Sequence, residues 1–312
     1  MKILFTFDFS LNCFTFILMI SRRAFLKSSA ALAALSVLPV GFSSCETVVS
    51  QKKIGMQLYS LMGLVNEDFD GTIAKLVEIG IRRFESFGYR NRQFFGKSPE
   101  EMKAFLESLG AAMTSSHTNM RFLSPGMDAA ELWDGWKWNC SDTAKVGSGW
   151  IIQASYPDRQ IQTLDDVLRL ADQFNECGRI AKQFNLQFAF HNHHTELMPL
   201  DGEVPYEILL EHTDPKLVAF QMDTGYMQSA YGGAYLHLIH KYPGRFQSFH
   251  LRDVDENDEG VDLGQGVTDY DELFKLVEMA GMREYYIEQG GATLESMQRN
   301  YDFLMKATFV KW

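Results

Sequence analysis

Imidazole and carboxylate side chains concentrate in four short segments of the second half of the chain. These are His191-Asn192-His193-His194-Thr195-Glu196, Asp223-Thr224-Gly225, His250-Leu251-Arg252-Asp253 and Tyr286-Ile287-Glu288. Each adjoins a short apolar run with the composition of a buried β-strand. If the four strand ends meet, their buried charges must be paired or bound to a cation. Such side chains suit Mn²⁺, Mg²⁺, Co²⁺ or Zn²⁺. The alternative is a metal-free site held by Arg252 and hydrogen bonds.

Eight apolar, β-rich runs recur along residues 52–312, at a spacing of roughly 30–37 residues. They lie near Ile54–Leu58, Arg82–Phe87, Ala112–Ser116, Trp150–Ala154, Leu186–Phe190, Leu217–Met222, Phe246–Leu251 and Tyr285–Ile287. Helical patterns fill the gaps, and Ser98-Pro99-Glu100-Glu101 predicts a helix start with a capping box. The alternation predicts an α/β fold, a single (β/α)₈ TIM barrel. An open doubly wound sheet is the alternative, but its usual glycine-rich turn is missing after the first strand.

In such a barrel, the carboxyl ends of the strands and the loops after them form the active site. The residues there that predict substrate contacts are Gln57, Tyr59, Glu85, His117 and Arg252. For His117, bracing the site is an equal alternative. The tryptophan-rich segment 119–148 either overhangs the barrel mouth as a lid or packs on the surface.

Several strings resemble one family in their order along the chain. These strings are the four segments above and two more, which are Ile54-Gly55-Met56-Gln57-Leu58-Tyr59-Ser60 and the turn Gly264-Gln265-Gly266 before Asp269-Tyr270. Together they resemble the xylose isomerase-like TIM-barrel family of sugar (phosphate) isomerases and epimerases, over almost all of residues 52–312. The same family contains inosose dehydratases, keto-sugar lyases and a DNA-repair endonuclease, so the resemblance does not select a reaction.

The resemblance implies one divalent metal, held by Glu, Asp, His and Glu from strands five to eight. Asp223, His250 and Glu288 match that pattern. Strand five ends in His191 where many epimerases have a glutamate, so Glu196 is the predicted fourth ligand and His191 or His193 the alternative. The predicted catalytic residues are therefore His193, Glu196, Glu288 and His191.

A bound cation would acidify the proton next to a substrate carbonyl and stabilise the resulting enediolate. The prediction is a metal-dependent isomerase or epimerase of an unphosphorylated sugar. The alternatives are a lyase or dehydratase acting on keto-sugars or 3-keto-glycosides, and a non-catalytic carbohydrate-binding barrel.

The net charge of the chain limits the kinds of partner that it can bind. The chain of 312 residues carries a formal net charge of −11. The first 45 residues hold four basic residues and one acidic residue, so the remainder is at −14. A body this acidic repels phosphate backbones, which argues against nucleic-acid binding and against the endonuclease branch. The charge balance does not decide whether the chain forms a homo-oligomer.

The N-terminal segment has the features of an export signal. Ser21-Arg22-Arg23-Ala24-Phe25-Leu26-Lys27 precedes a weakly apolar run, Ser28 to Phe42, and resembles a twin-arginine signal. A transmembrane anchor is the alternative, although the run is short for one. Phe42-Ser43-Ser44-Cys45 resembles a lipobox. We therefore expect a signal segment over residues 1–45 and a barrel over residues 52–312, in an exported protein that is periplasmic or a membrane-anchored lipoprotein. Translation could start at Met1 or Met19.

Overall fold

The computed structural model describes residues 52–124 and 126–310, and eight parallel strands within them close into a barrel. The strands are β1 (Gly55–Gln57), β2 (Arg83–Ser86), β3 (Ala112–Thr118), β4 (Trp150–Gln153), β5 (Gln187–His191), β6 (Val218–Asp223), β7 (Phe246–Leu251) and β8 (Glu284–Ile287). Each strand pairs with the next along the chain, and β8 closes the barrel on β1. The predicted (β/α)₈ barrel is confirmed, and the open sheet is excluded.

Helices cover the outside of the barrel. They are α1 (Met62–Glu67), α2 (Phe69–Ile79), α3 (Pro99–Ser108), α4 (Ala129–Val146), α5 (Leu164–Lys182), α6 (Pro205–His212), α7 (Thr224–Tyr231), α8 (His237–Lys241), α9 (Tyr270–Lys275), α10 (Val277–Ala280) and α11 (Leu294–Lys306). The predicted capping box forms at the start of α3. There the Ser98 hydroxyl accepts from the Glu101 N–H, and the Glu101 carboxylate accepts from the Ser98 N–H.

The barrel interior changes character along its axis. Ile151 belongs to the main core between strands and helices, whereas its neighbours Trp150 and Ile152 pack with Ala189 and Ala219 in a separate buried cluster. Because side chains alternate along a strand, this second cluster lies inside the barrel. Towards the carboxyl ends, the strands also carry buried polar residues, and these form the site described below.

The tryptophan-rich segment is part of the outer ring of helices. Its main element, α4, packs against α3 and α5. Trp136 is buried and donates from Nε1 to the Cys177 carbonyl oxygen (3.1 Å). Of the two alternatives for this segment, the helix therefore favours packing over a lid. Cys140 and Cys177 are buried free thiols.

The signal segment over residues 1–45, with Cys45, lies outside the described residues. Among the helices of residues 52–124 and 126–310, none is long and apolar enough to cross a membrane.

Candidate active site

Four potential metal ligands meet at the carboxyl end of the barrel. His191 ends β5, Asp223 ends β6, His250 lies near the end of β7, and Glu288 directly follows β8. Their ligand atoms all lie within 4.8 Å of one another. We call these four residues the ligand cluster. Three are buried, and the Glu288 side chain keeps 13% of its surface exposed, so the cluster opens towards the barrel mouth.

Two buried atoms of the ligand cluster lack a hydrogen-bond partner. Asp223 Oδ1 accepts from the Tyr226 N–H (2.9 Å) and so caps α7, but Asp223 Oδ2 is unpartnered. His191 Nδ1 is unpartnered as well. Leaving a buried polar atom unpaired is costly, and a cation between these atoms would satisfy both. Two carboxylates and two imidazoles form a donor set that fits a divalent metal ion.

The electrostatics of the cluster also favour added positive charge. Burial and the neighbouring Glu288 carboxylate raise the pKa of Asp223. His250 lies between two carboxylates, with Nδ1 at 2.5 Å from Glu288 Oε2 and Nε2 at 2.5 Å from Glu85 Oε1. Burial alone would lower the pKa of His250, but the charges of Glu288 and Glu85 raise it to about 10. The buried carboxylates of Asp223, Glu288 and Glu85 therefore share the nearby positive charge, and a bound cation would stabilise them.

Glu85 lies beneath the ligand cluster and contacts five other side chains. Its two oxygens contact Gln57 Nε2 (2.8 Å), Ser115 Oγ (2.5 Å), Gln221 Nε2 (2.9 Å), His117 Nε2 (2.9 Å) and His250 Nε2 (2.5 Å). A histidine that gives one ring nitrogen to a carboxylate turns the other nitrogen towards a metal. Glu85 thus fixes the orientation of His250.

Three of the predicted substrate contacts lie in or around this network. Gln57 and Glu85 are fully buried, and their side chains contact each other. His117 bridges Glu85 and Gln221 Oε1 (2.7 Å), and its ring stacks on His250 at 5.1 Å. These contacts support the alternative in which His117 braces the site. Gln57 and Glu85 likewise hold neighbouring side chains in place.

Glu196, the predicted fourth ligand, lies outside the ligand cluster. It is fully buried in a short 3₁₀ turn, where its Oε1 accepts from the His193 N–H (2.6 Å). Burial raises the pKa of Glu196 to about 7. The geometry instead brings His191, one of the two alternatives, to the other three ligands. The sequence did contain a signal that favours His191 over Glu196, because His191 stands at the end of its strand, as Asp223 does.

His193, Tyr226 and Arg252 line the mouth beside the ligand cluster. The His193 ring lies 4.8 Å from the His191 ring and 5.1 Å from the Tyr226 ring. The Arg252 guanidinium lies 4.5 Å over the Tyr226 ring. Burial lowers the pKa of His193 to about 4, which keeps the imidazole neutral. Tyr59, another predicted contact, is 48% exposed after β1.

Asp253 does not join the ligand cluster. Its carboxylate accepts from the backbone N–H groups of Gly264 (2.9 Å), Gly266 (3.0 Å) and Thr268 (3.1 Å). A Cβ on Gly266 would lie 2.1 Å from the Val254 carbonyl oxygen, so the turn requires glycine there. Asp253 therefore fixes the loop that follows β7.

Sequence reasoning missed Gln221, which contacts Glu85, His117 and Ser248. The available signal was its place two residues before Asp223, on the same face of β6.

Comparison with known families agrees with this architecture. Residues 73–300 match the family model described as xylose isomerase-like TIM barrel. The chain belongs to this family. Residues 19–39 match the model of the twin-arginine translocation pathway signal sequence, which confirms the predicted export signal.

Members and neighbours of the family differ in reaction. A sugar phosphate isomerase/epimerase from Parabacteroides distasonis ATCC 8503 is 26% identical, with a TM-score of 0.72 over 83% of this chain and 100% of that one. An inosose dehydratase from Bacillus cereus (strain AH820) is 22% identical over 172 residues, 49% of this chain and 56% of the relative. The chain thus spans about half the length of the curated relatives it matches. The IOLI protein, solved with a bound zinc atom, shares the fold at 11% identity, with a TM-score of 0.62 over 82% of this chain and 97% of that one.

The raised pKa of Glu196 predicts a stability that depends on pH. The folded protein retains a proton that the unfolded chain releases near pH 4.5, so stability from this group falls as pH rises towards 7. We expect Glu196→Gln to lie within about 1 kcal/mol of the wild type at pH 5. At pH 8 the variant should be more stable, by up to about 3 kcal/mol.

Chemical denaturation of chelator-treated protein at the two pH values would measure this difference. Glu67→Gln, which changes an exposed side chain, is the control and should shift stability equally at both. An equal shift for Glu196→Gln would contradict the prediction.

Proposed function

We propose that this exported barrel is a divalent-metal-dependent enzyme that removes a proton next to the carbonyl of an unphosphorylated sugar. The observation that supports this proposal is the ligand cluster, formed by His191, Asp223, His250 and Glu288. Two of its buried atoms, His191 Nδ1 and Asp223 Oδ2, have no hydrogen-bond partner. These four residues would hold one Mn²⁺, Mg²⁺, Co²⁺ or Zn²⁺ ion. When bound, the ion polarises the substrate carbonyl and lowers the pKa of the adjacent C–H group. The zinc described for the IOLI protein supports a metal in this fold.

His193 is the proposed proton-transfer group. It is neutral, its Nδ1 has no hydrogen-bond partner, and its ring stands beside the ligand cluster without belonging to it. A neutral imidazole can accept a proton from carbon and return it. Arg252 lies over Tyr226 at the same mouth and is placed to hold a substrate oxygen.

Isomerisation or epimerisation is the first candidate reaction. His193 follows β5 and Glu288 follows β8, three strands further round the barrel. The two groups lie at different parts of the barrel mouth, which suits removal of a proton from one face of the substrate and return of a proton to the other face. The sugar phosphate isomerase/epimerase neighbour supports this candidate.

Elimination is the second candidate, and one observation favours it. His191 occupies the ligand cluster in place of a strand-five carboxylate, while Glu196 is turned into the protein interior. The cluster then has a histidine at the strand-five position where many epimerases have a glutamate. A lyase or dehydratase needs one base and a group that protonates the leaving oxygen. The inosose dehydratase relatives support this candidate.

The roles proposed for the two histidines predict different losses. His191→Ala should abolish stoichiometric metal binding because it removes a ligand. His193→Gln should keep one metal per chain but lower kcat by roughly 10²–10⁴-fold.

Elemental analysis and single-turnover assays on mature protein would test both. Glu196→Gln is the matched control and should retain metal. Loss of metal in that variant, with retention in His191→Ala, would restore Glu196 as the fourth ligand. An absence of metal in the wild type, even after each cation is added back, would refute the whole proposal.

The two candidate reactions predict different products in D₂O. An isomerase or epimerase should incorporate solvent deuterium into a sugar that keeps all its substituents. A lyase should release water or an aglycone and leave an unsaturated keto-sugar that absorbs in the ultraviolet. NMR on a panel of free sugars, keto-sugars and keto-glycosides would separate them. Metal-loaded protein that exchanges no deuterium with any of them would favour a carbohydrate-binding barrel.

The twin-arginine signal indicates export across the membrane. We propose that the barrel works in the periplasm, tethered through a lipid on Cys45. Cys45→Ser should then move the protein from the membrane fraction to the soluble fraction. A wild-type protein found wholly in the soluble fraction would contradict the tether.

A further inference from the structure

A groove of about 550 Å³ lies beside the mouth of the barrel. It runs between α1 and a short hairpin formed by residues 89–90 and 93–94, and its volume is in the range of small-ligand sites. Its walls combine two kinds of side chain. Phe87, Tyr89, Phe95 and Met62 provide apolar faces, and Asn66, Arg90, Asn91 and Gln93 provide hydrogen-bonding groups.

The groove adjoins the mouth of the barrel, because Phe87 and Gly88 in its wall directly follow the carboxyl end of β2. Tyr59 stands two residues after Gln57, and Phe87 stands two residues after Glu85, whose side chains are hydrogen-bonded to each other. Two residues span at most about 7 Å of backbone, so Tyr59 and Phe87 start within that distance of the buried pair Gln57 and Glu85. The Phe87 ring meets the Tyr59 ring edge-on at 5.4 Å and the Phe95 ring at 5.2 Å. The Phe87 ring therefore links the Tyr59 ring, which follows β1, to the Phe95 ring in the groove wall.

The hairpin is held rigidly. Asn91 and Arg92 have positive φ angles (52° and 62°), as a two-residue hairpin turn requires. Asp142, buried on α4, accepts from the Tyr89 hydroxyl (2.8 Å) and from Arg92 Nε (2.9 Å) and Nη2 (2.7 Å). The groove wall is therefore braced against the ring of helices, unlike a free surface loop.

Phe95 is strained in a way that shapes the groove. Its φ of 49° is unfavourable for a bulky aromatic residue, and such strain tends to persist at functional sites. Its ring is stacked on Phe69 at 4.6 Å, which helps to offset the strain. A Cβ on Gly88 would lie 2.6 Å from the Phe95 ring, so glycine allows the ring to press against the backbone.

Aromatic faces bordered by amides suit a sugar ring, which has an apolar C–H face and a polar rim. Met62 and Tyr59 are 42% and 48% exposed, so apolar surface is available to a ligand here. We propose that the groove binds the second sugar ring of a disaccharide whose first ring lies over the ligand cluster. This inference rests on the proposed function, and it narrows the substrate class from single sugars to linked ones.

Saccharide binding to the full mature chain would test the inference. The probes are glucose, four glucose-containing disaccharides (maltose, cellobiose, trehalose and sucrose) and 4-nitrophenyl glucoside, measured by calorimetry and saturation-transfer NMR. We expect at least one disaccharide to bind roughly tenfold more tightly than glucose, as a few neutral hydrogen bonds can provide. The double variant Asn66→Ala/Gln93→Ala should lose that gain and keep the affinity for glucose.

Gln183→Ala, an exposed amide at the end of α5 on the opposite end of the barrel, is the matched control and should keep the full gain. Asp223→Ala separates this inference from the proposed function, because it removes a metal ligand and leaves the groove intact. The groove proposal is refuted if no disaccharide binds more tightly than glucose, which includes the case in which no probe binds. It is also refuted if only the nitrophenyl glucoside gains affinity, or if the double variant keeps the gain. Metal content in the same preparations tests the proposed function independently.

Discussion

The contact between Glu85 and His250 is the interaction on which the site depends. A fully buried carboxylate is tolerable only when donors surround it, and five side chains from four different strands do so here. The same carboxylate fixes the His250 ring and, through Gln221 and His117, the layer beneath the ligand cluster. The polar interior at this end of the barrel is therefore one network, and its members constrain one another.

That network explains why the barrel has two kinds of interior. Near the amino ends of the strands, Ala189 and Ala219 leave space that Trp150 and Ile152 fill. Near the carboxyl ends, the space is filled by hydrogen-bonded polar groups. The apolar half provides stability by burial, and the polar half holds side chains in fixed orientations for chemistry.

Much of the fold was predictable because its signals are local. The eight apolar runs gave the strands, and Ser98 with Glu101 gave a helix start that the structure reproduces. Asp223, His250 and Glu288 were predicted as ligands because each lies at or beside the end of a strand and matches the pattern that the family resemblance implies.

The rest depended on distances that sequence does not encode locally. Glu85 and His250 come from β2 and β7, which are not neighbours, so their contact follows only from closure of the barrel. The choice between His191 and Glu196 depends on how the chain turns after β5. The hairpin over residues 89–94 has strands of two residues, too short to leave a periodic pattern.

The closure of β8 on β1 has a consequence for the order of events in the cell. The two strands are separated by most of the barrel sequence, and the four residues of the ligand cluster come from the last four strands. During synthesis, the export signal leaves the ribosome first, and the residue that completes the ligand cluster leaves nearly last. A metal ion can therefore find its full set of ligands only after translation is almost complete. For a route that carries folded proteins, the metal proposed for this cluster would then be acquired in the cytoplasm, where the chain is made, and would travel with the exported protein.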